Sequence, residues 1–348
     1  MHVLDGRPAD LPGGNGNLAM AVDFLDPDGR YEAADQKAAG ASLWGLHEAM
    51  AAARDLFATT CDYGGLAQGL PLAFYYFAGP DPLLAFSTQE RYIYTVHPAG
   101  APSLASLDAL AHEVGHCLTT TPALTALGAQ YPIAEGGAIR EGFSDAFGEI
   151  VEKHVLGVND WMAGGALAGA GLSSIPRYLD DPTASYRTQP DRYREGPNWI
   201  RTDQVCTAAN DRCGAHMNNG PFNKWFYLLA DGSSYSFPGL GLERARDLLW
   251  AGVREKLVLN YPSAREATLQ AAAERCGDYA TERNTVWAAW FPASPPARCP
   301  PSPPLRPSLR RSARSRICLR QRASRRRSSP PAPAAGSSSP QRSTSTTR

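Results

Sequence analysis

The sequence predicts an α+β chain of two lobes, strand-rich over residues 18–102 and helical over 103–297, with one motif-bearing helix between them. Three observations carry this expectation. Four short runs before residue 100 combine apolar, aromatic and β-branched residues, as strands do. Five segments after residue 103 repeat apolar residues at the 3.6-residue helical spacing. From about Pro296 onward the chain turns to Pro, Ser and Arg with few apolar residues, so the core is expected to end there.

Taken in order, residues 1–17 read as linker, because VLDGRPADLPGGNGN is dense in Gly, Pro and Asn. The strand candidates are MAVDFLD, PLAFYYF, LLAFS and RYIYTV, and one helix, 41–58, interrupts them. The helical segments are 104–120, 138–156, 221–231, 241–257 and 263–275. Residues 176–213 are polar and rich in Tyr, Arg, Asp and Pro, which reads as a long surface excursion.

Charge sharpens the boundary. The whole chain holds 34 basic and 34 acidic residues. Residues 301–348 carry 12 arginines and no Asp, Glu or Lys, which leaves 22 basic against 34 acidic residues in 1–300, a net of −12. An acidic body argues against a nucleic-acid-binding fold. The 298–348 tail reads as disordered. Its arginines could touch polyanions weakly, but no aromatic residues interleave with them, and a solvated tail is the plainer reading. Truncation after Ala297 is therefore expected to leave turnover and melting temperature nearly unchanged, and comparing both lengths on one peptide at physiological salt checks this. No apolar run approaches the ~18 residues of a membrane span. Residues 1–30 show no basic stretch leading into an apolar one, so no signal peptide is expected in the chain as given.

Seven cysteines are too few for a disulfide scaffold and odd in number. Cys206 and Cys213 in VCTAANDRC are the favoured pair, with two thiols as the alternative, and Cys117 in an apolar helix pattern reads as a small buried hydrophobe.

The segment LASLDALAHEVGHCLTT contains His112, Glu113 and His116. On a helix, positions i and i+4 share a face, so both imidazoles reach one ion and Glu113 falls beside them. Zinc suits imidazole ligands in tetrahedral geometry with room for water. Downstream, EGGAIREGFSDAFGEIVE places Glu141, Asp145 and Glu152 on one helix face, opposite Ile139, Phe143 and Phe147. Glu141 could complete a three-ligand site, and Asp145, one turn on, could take the second N–H of a ligating histidine. Without the upstream motif these acids would read as a solvated face.

Here the chain resembles the thermolysin-like zinc metallopeptidases, which pair a HExxH helix with a G-A-I-N-E-A-x-S-D-x-F-G helix. This sequence has Gly137-Ala138-Ile139-Arg140-Glu141-Gly142-Phe143-Ser144-Asp145-Ala146-Phe147-Gly148 at that place. Ala215-His216-Met217-Asn218-Asn219-Gly220-Pro221-Phe222-Asn223-Lys224 is similar to the family's V-H-x-N-S-G-x-x-N-K, and Arg177-Tyr178-Leu179-Asp180-Asp181-Pro182 to its R-S-M-x-D-P. The four elements keep the family's order, and the resemblance runs from about residue 18 to 293.

The resemblance implies a thermolysin-like two-lobe fold with the HExxH helix between the lobes. It implies His112, His116 and Glu141 as zinc ligands, Glu113 as general base and Asp145 as partner of His112. His216 would stabilise the tetrahedral intermediate, and Arg177 would hold a substrate carbonyl. It also implies a second oxyanion donor, a Tyr, in the spacer after the first motif. Pro132 holds the aligned position and Tyr131 precedes it, so Tyr131 is the candidate, with a loop aromatic as the alternative. Leu84 and Ala85 would lie on an edge strand that receives peptide, the family's Asn having become Leu84. Asp108, Glu152 and Asp160 would bind calcium, at most one Ca2+, since Met162 and Gly165 replace two further acids.

The implied activity is zinc-dependent hydrolysis of internal peptide bonds in peptide or protein substrates by a secreted monomer. An apolar residue is expected just after the cut, with Ala109 and Pro176 replacing larger pocket residues. Two rival readings are a non-catalytic scaffold of the same fold and a polyanion-binding protein working through the Arg-rich tail.

Overall fold

A computed structural model of the chain describes residues 3–5, 22–23, 34–57, 73–78, 83–87, 92–97, 106–119, 134–165, 176–185, 187–232, 239–254, 258–274, 285–286 and 289–290. All of them lie in the compact unit Met1–Cys299. Tyr131, most of the 1–17 segment and the 298–348 tail lie outside the described residues.

Five strands form one mixed sheet in the order β2-β1-β3-β5-β4. They are β1 (Val3–Asp5), β2 (Val22–Asp23), β3 (Ala73–Ala78), β4 (Leu83–Ser87) and β5 (Tyr92–His97). β3 runs parallel to β1 and β5, while β4 pairs antiparallel with β5, Leu84 opposite Thr95 and Ala85 opposite Tyr94. Among the described residues β4 is thus a sheet edge, with one row of backbone groups not committed within the sheet. Val3–Asp5 falls inside the segment read as linker; it is too short to show alternation and becomes a strand by pairing with β3.

Helix α1 (Ala34–Phe57) begins seven residues before the expected 41, because Ala, Gln and Lys favour helix without adding apolar periodicity. Helices α2 (Leu107–Thr119) and α3 (Ala134–Leu156) form the centre of the unit. Their close approach depends on glycine at two places. A Cβ on Gly115 would lie 2.8 Å from the Ser144 Cα, and one on Gly148 would lie 2.9 Å from the Asp108 carbonyl oxygen. Gly115, the fourth residue of His-Glu-Val-Gly-His, is therefore a packing device that lets α3 deliver its carboxylates to α2.

Helix α3 is buried on all sides from Glu135 to Val151. Its polar residues do not form the solvated face that spacing alone would suggest. Each is turned to another element: Glu135 accepts from Tyr193 Oη at 3.1 Å, Arg194 Nη2 at 2.9 Å and the Tyr261 amide at 3.1 Å. These bonds tie the 176–213 excursion and the C-terminal helices to α3, as buried polar groups require.

Helix α4 (Gly220–Ala230) packs Phe222, Trp225 and Phe226 into the core. Helix α5 (Leu242–Leu249) continues as a π-helical turn, Trp250–Arg254, rather than as the regular helix expected to 257. Helix α6 (Tyr261–Glu274) follows, and Trp290 stacks on Trp225 at 4.6 Å while its Nε1 donates to Thr268 Oγ1 at 3.1 Å. The core therefore reaches residue 290. Two short strands, β6 (Met162–Ala163) and β7 (Arg177–Tyr178), pair antiparallel beside α3.

Candidate metal centre

Helix α2 presents His112 and His116 one turn apart, their rings edge to face at 4.6 Å. Helix α3 crosses them and supplies Glu141, whose Oε2 lies 3.3 Å from His112 Nε2 and whose Oε1 lies 3.5 Å from His116 Nε2. One ligand atom from each of the three lies within 4.8 Å of the others. Donors about 2.0–2.1 Å from a tetrahedral ion are separated by about 3.3 Å, so the spacing fits zinc. Glu141 Oε2 is buried and makes no hydrogen bond, a cost a bound cation would remove. The donor set, two imidazoles and a carboxylate, is also the chemistry zinc takes.

The far nitrogens are held as well. His112 Nδ1 donates to Asp145 Oδ1 at 2.7 Å, which leaves Nε2 facing Glu141. His116 Nδ1 lies 3.1 Å from Ser144 Oγ. Asp145 has no solvent exposure, and its Oδ2 accepts from Arg177 Nε at 2.8 Å and from the side-chain amides of Asn219 and Asn223 at 2.9 Å each. Burial would raise the Asp145 carboxyl, but the Arg177 charge and the His112 bond hold it well below the usual range. Four elements, α2, α3, β7 and α4, therefore converge on one carboxylate.

Glu113 sits beside the pair on α2 and is buried. Burial, with Glu141 nearby, raises its pKa from 4.5 to about 7, against the opposing charges of His112, Arg177 and His216. A carboxyl poised there can both take and give a proton near neutrality.

His216 reaches the same group from the end of the excursion, its Nε2 3.5 Å from Glu141 Oε1. Its Nδ1 donates to Asp211 Oδ1 at 2.6 Å, and Asp211 Oδ2 accepts from the amides of His216 and Met217 at 2.7 and 2.8 Å. The Glu141 charge raises the His216 pKa, burial opposes it, and Asp211 adds to the rise. Asp211 was not singled out from the sequence. The available signal was an acid five residues before a motif histidine in a cysteine-closed loop. Gln189, also missed, donates to the His216 carbonyl at 2.6 Å and to Asn219 Oδ1 at 2.5 Å.

The second acidic group contains Glu152 and Asp160, as the resemblance implied, and adds Glu149. The converging acids among the described residues are Glu149, Glu152 and Asp160. Asp108 is near enough for its charge to raise the carboxyls of all three, and its Oδ2 accepts from the amides of Gly164 and Gly165, at 2.5 and 3.3 Å. Glu149 lies one turn before Glu152, with Oε2 accepting from the Trp161 amide at 3.0 Å and Oε1 buried without a partner among the described residues. Burial and the Asp160 and Asp108 charges raise Glu152 from 4.5 to about 7. A raised acid stabilises the fold below its unfolded pKa and loses that contribution as pH climbs through the folded value. In chelator, the melting temperature should therefore decline from about pH 4.5 through about pH 7, and Glu152→Gln should reduce the slope. Thermal melts of both proteins across this range check it; equal slopes would refute the assignment.

The disulfide Cys206–Cys213 forms, and Cys117 is buried. Leu84 is half-buried on the edge strand β4, which packs against α2. No helix among the described residues is long and apolar enough to cross a membrane.

Residues 131–293 match the family described as thermolysin metallopeptidase, alpha-helical domain. Thermolysin from Alicyclobacillus acidocaldarius subsp. acidocaldarius is 31% identical over 191 residues, covering 53% of this chain and 32% of that protein. The transglutaminase-activating metalloprotease of Streptomyces mobaraensis is 28% identical over 228 residues, covering 59% and 27%. The chain spans about a third or less of the length of these curated relatives. The solved precursor of protealysin, a metalloproteinase from Serratia proteamaculans, superposes with a TM-score of 0.58 at 19% identity, covering 83% of this chain and 85% of that one, a likeness of fold. The matched helical domain, which includes Glu141, and the fold shared over most of the chain together support a thermolysin-like metallopeptidase family for this protein.

Proposed function

We propose that the chain is a zinc-dependent endopeptidase. The observation that carries this reading is the convergence of His112, His116 and Glu141 within 4.8 Å, with the buried carboxyl of Glu113 beside them. Zinc held there would polarise a carbonyl and lower the pKa of water. Glu113 takes the proton of the attacking water at its carboxylate and returns it to the departing amine. His216, whose Asp211 partner and the Glu141 charge favour the imidazolium, donates from Nε2 to charge developing on the carbonyl oxygen. Arg177, anchored on Asp145, adds positive charge on the same side. The uncommitted edge of β4 at Leu84 and Ala85 receives the substrate as an added strand, and the small residues Ala109 and Pro176 leave room for an apolar side chain after the cut. Tyr131 keeps its place as candidate second donor. The disulfide favours work in an oxidising, extracytoplasmic setting, and the protein is taken to act as a monomer. At most one calcium ion is assigned to Asp108, Glu152 and Asp160, with Glu149 beside them.

The experiment is hydrolysis of casein before and after a zinc chelator. Turnover that the chelator abolishes and zinc restores is expected. Folded, zinc-loaded protein with no turnover would leave the scaffold reading in its place.

A further inference from the structure

The turn that presents Asp211 to His216 has an unusual backbone. Asp211, Arg212 and Cys213 carry φ of 53°, 51° and 63°, and Gly214 follows at 85°. Left-handed conformation is unfavourable for side chains with a Cβ and normally occurs at single residues, so a run of three non-glycines persists only where surrounding contacts over-determine it. Here the hydrogen bonds come from neighbouring residues of the chain. The Arg212 amide donates to the Thr207 carbonyl at 2.7 Å, and Asn210 Oδ1 accepts from the amides of Thr207 and Cys213 at 2.8 and 3.0 Å. The one covalent tie is the bond from Cys213 back to Cys206.

We propose that the Cys206–Cys213 disulfide is a positioning element for the catalytic centre. It holds 211–214 in the left-handed conformation from which the Asp211 carboxylate reaches His216. Without the bond, Cys213 relaxes toward ordinary φ and the Asp211 side chain leaves the three donors it now serves, His216 Nδ1 and the amides of His216 and Met217. The zinc-type residues His112, His116 and Glu141 lie on α2 and α3, outside this loop, so metal binding is preserved while the donor is misaligned. Cys206 is half-buried and Cys213 fully buried, so the bond is part of the loop's packing and not an exposed clip. This inference rests on the peptidase reading for its kinetic consequence but not for its structural one.

The test compares the wild type with Cys206→Ser/Cys213→Ser and Cys206→Ser/Cys213→Gly. Glycine adopts positive φ freely, so the second variant keeps the turn without the bond. In the serine pair the downfield proton resonance of His216 Nδ1 is expected to disappear, kcat to fall about tenfold or more with KM within about twofold, and zinc content to stay unchanged. The glycine variant should regain the resonance and most of the turnover. Asp211→Asn should lower kcat as the serine pair does, and the two changes combined should be far from additive. A serine pair that keeps the resonance, or a glycine variant that loses it equally, overturns the proposal. If the wild type shows no peptide turnover at all, the peptidase reading fails, and the resonance alone decides the role of the disulfide.

Discussion

Glu113→Ala is expected to lower peptide turnover by about 100-fold or more while the protein keeps its zinc. General acid–base groups contribute about 10²–10⁴-fold when they act at the reacting proton. Glu113 is placed for that work by its position between His112 and His116 on α2 and by burial that raises its pKa to about 7. It is not among the converging donors, which are His112, His116 and Glu141. The variant is thus expected to separate catalysis from metal binding. Zinc content and steady-state kinetics on one peptide check both halves. Loss of zinc together with activity would place Glu113 in the ligand set and contradict its assignment.

The second large effect is expected at Asp145. Its carboxylate accepts from His112, Arg177, Asn219 and Asn223 with no solvent exposure. Asp145→Ala leaves the Arg177 guanidinium half-enclosed without its counter-charge, and removing one member of a buried pair costs about 3–5 kcal/mol. The same change frees the His112 ring, and loss of such an outer partner lowers metal affinity by about 10–100-fold. Denaturant unfolding and competitive zinc titration should register both losses. Stability within about 1 kcal/mol of wild type would mean that the four-donor network is not formed in solution. Asp145→Asn, which keeps shape and one acceptor, should fall between the two proteins.

The parts of this centre that could be read from the sequence are those that follow helical geometry. Histidines at i and i+4 share a face on any helix, and Asp145 lies one turn from Glu141, so the spacing placed each group relative to its own helix. What spacing could not supply was contact between elements. Glu149 lies four residues after Asp145 and three before Glu152, so helical spacing puts it on the same face, but only the fold shows its Oε1 enclosed beside Glu152 and Asp160. Asp211 and Gln189 come from an irregular excursion, where no periodicity points a side chain anywhere, and they reach His216 through turns that sequence patterns do not encode. Asp108 shows the reverse case: the resemblance points to it where spacing does not, and the fold adds that the amides of Gly164 and Gly165 hold its Oδ2. The strands were legible in place but not in partnership, since β1 joins the sheet through three residues with no alternation of their own.

X-ray absorption at the zinc edge of the reconstituted wild-type protein tests the centre most directly. About one zinc per chain is expected, with nitrogen and oxygen neighbours at about 2.0–2.2 Å and the multiple scattering of two imidazoles. Sulfur at about 2.3 Å, a shell without imidazole, or well under half an equivalent of zinc on folded protein would contradict the assignment of His112, His116 and Glu141.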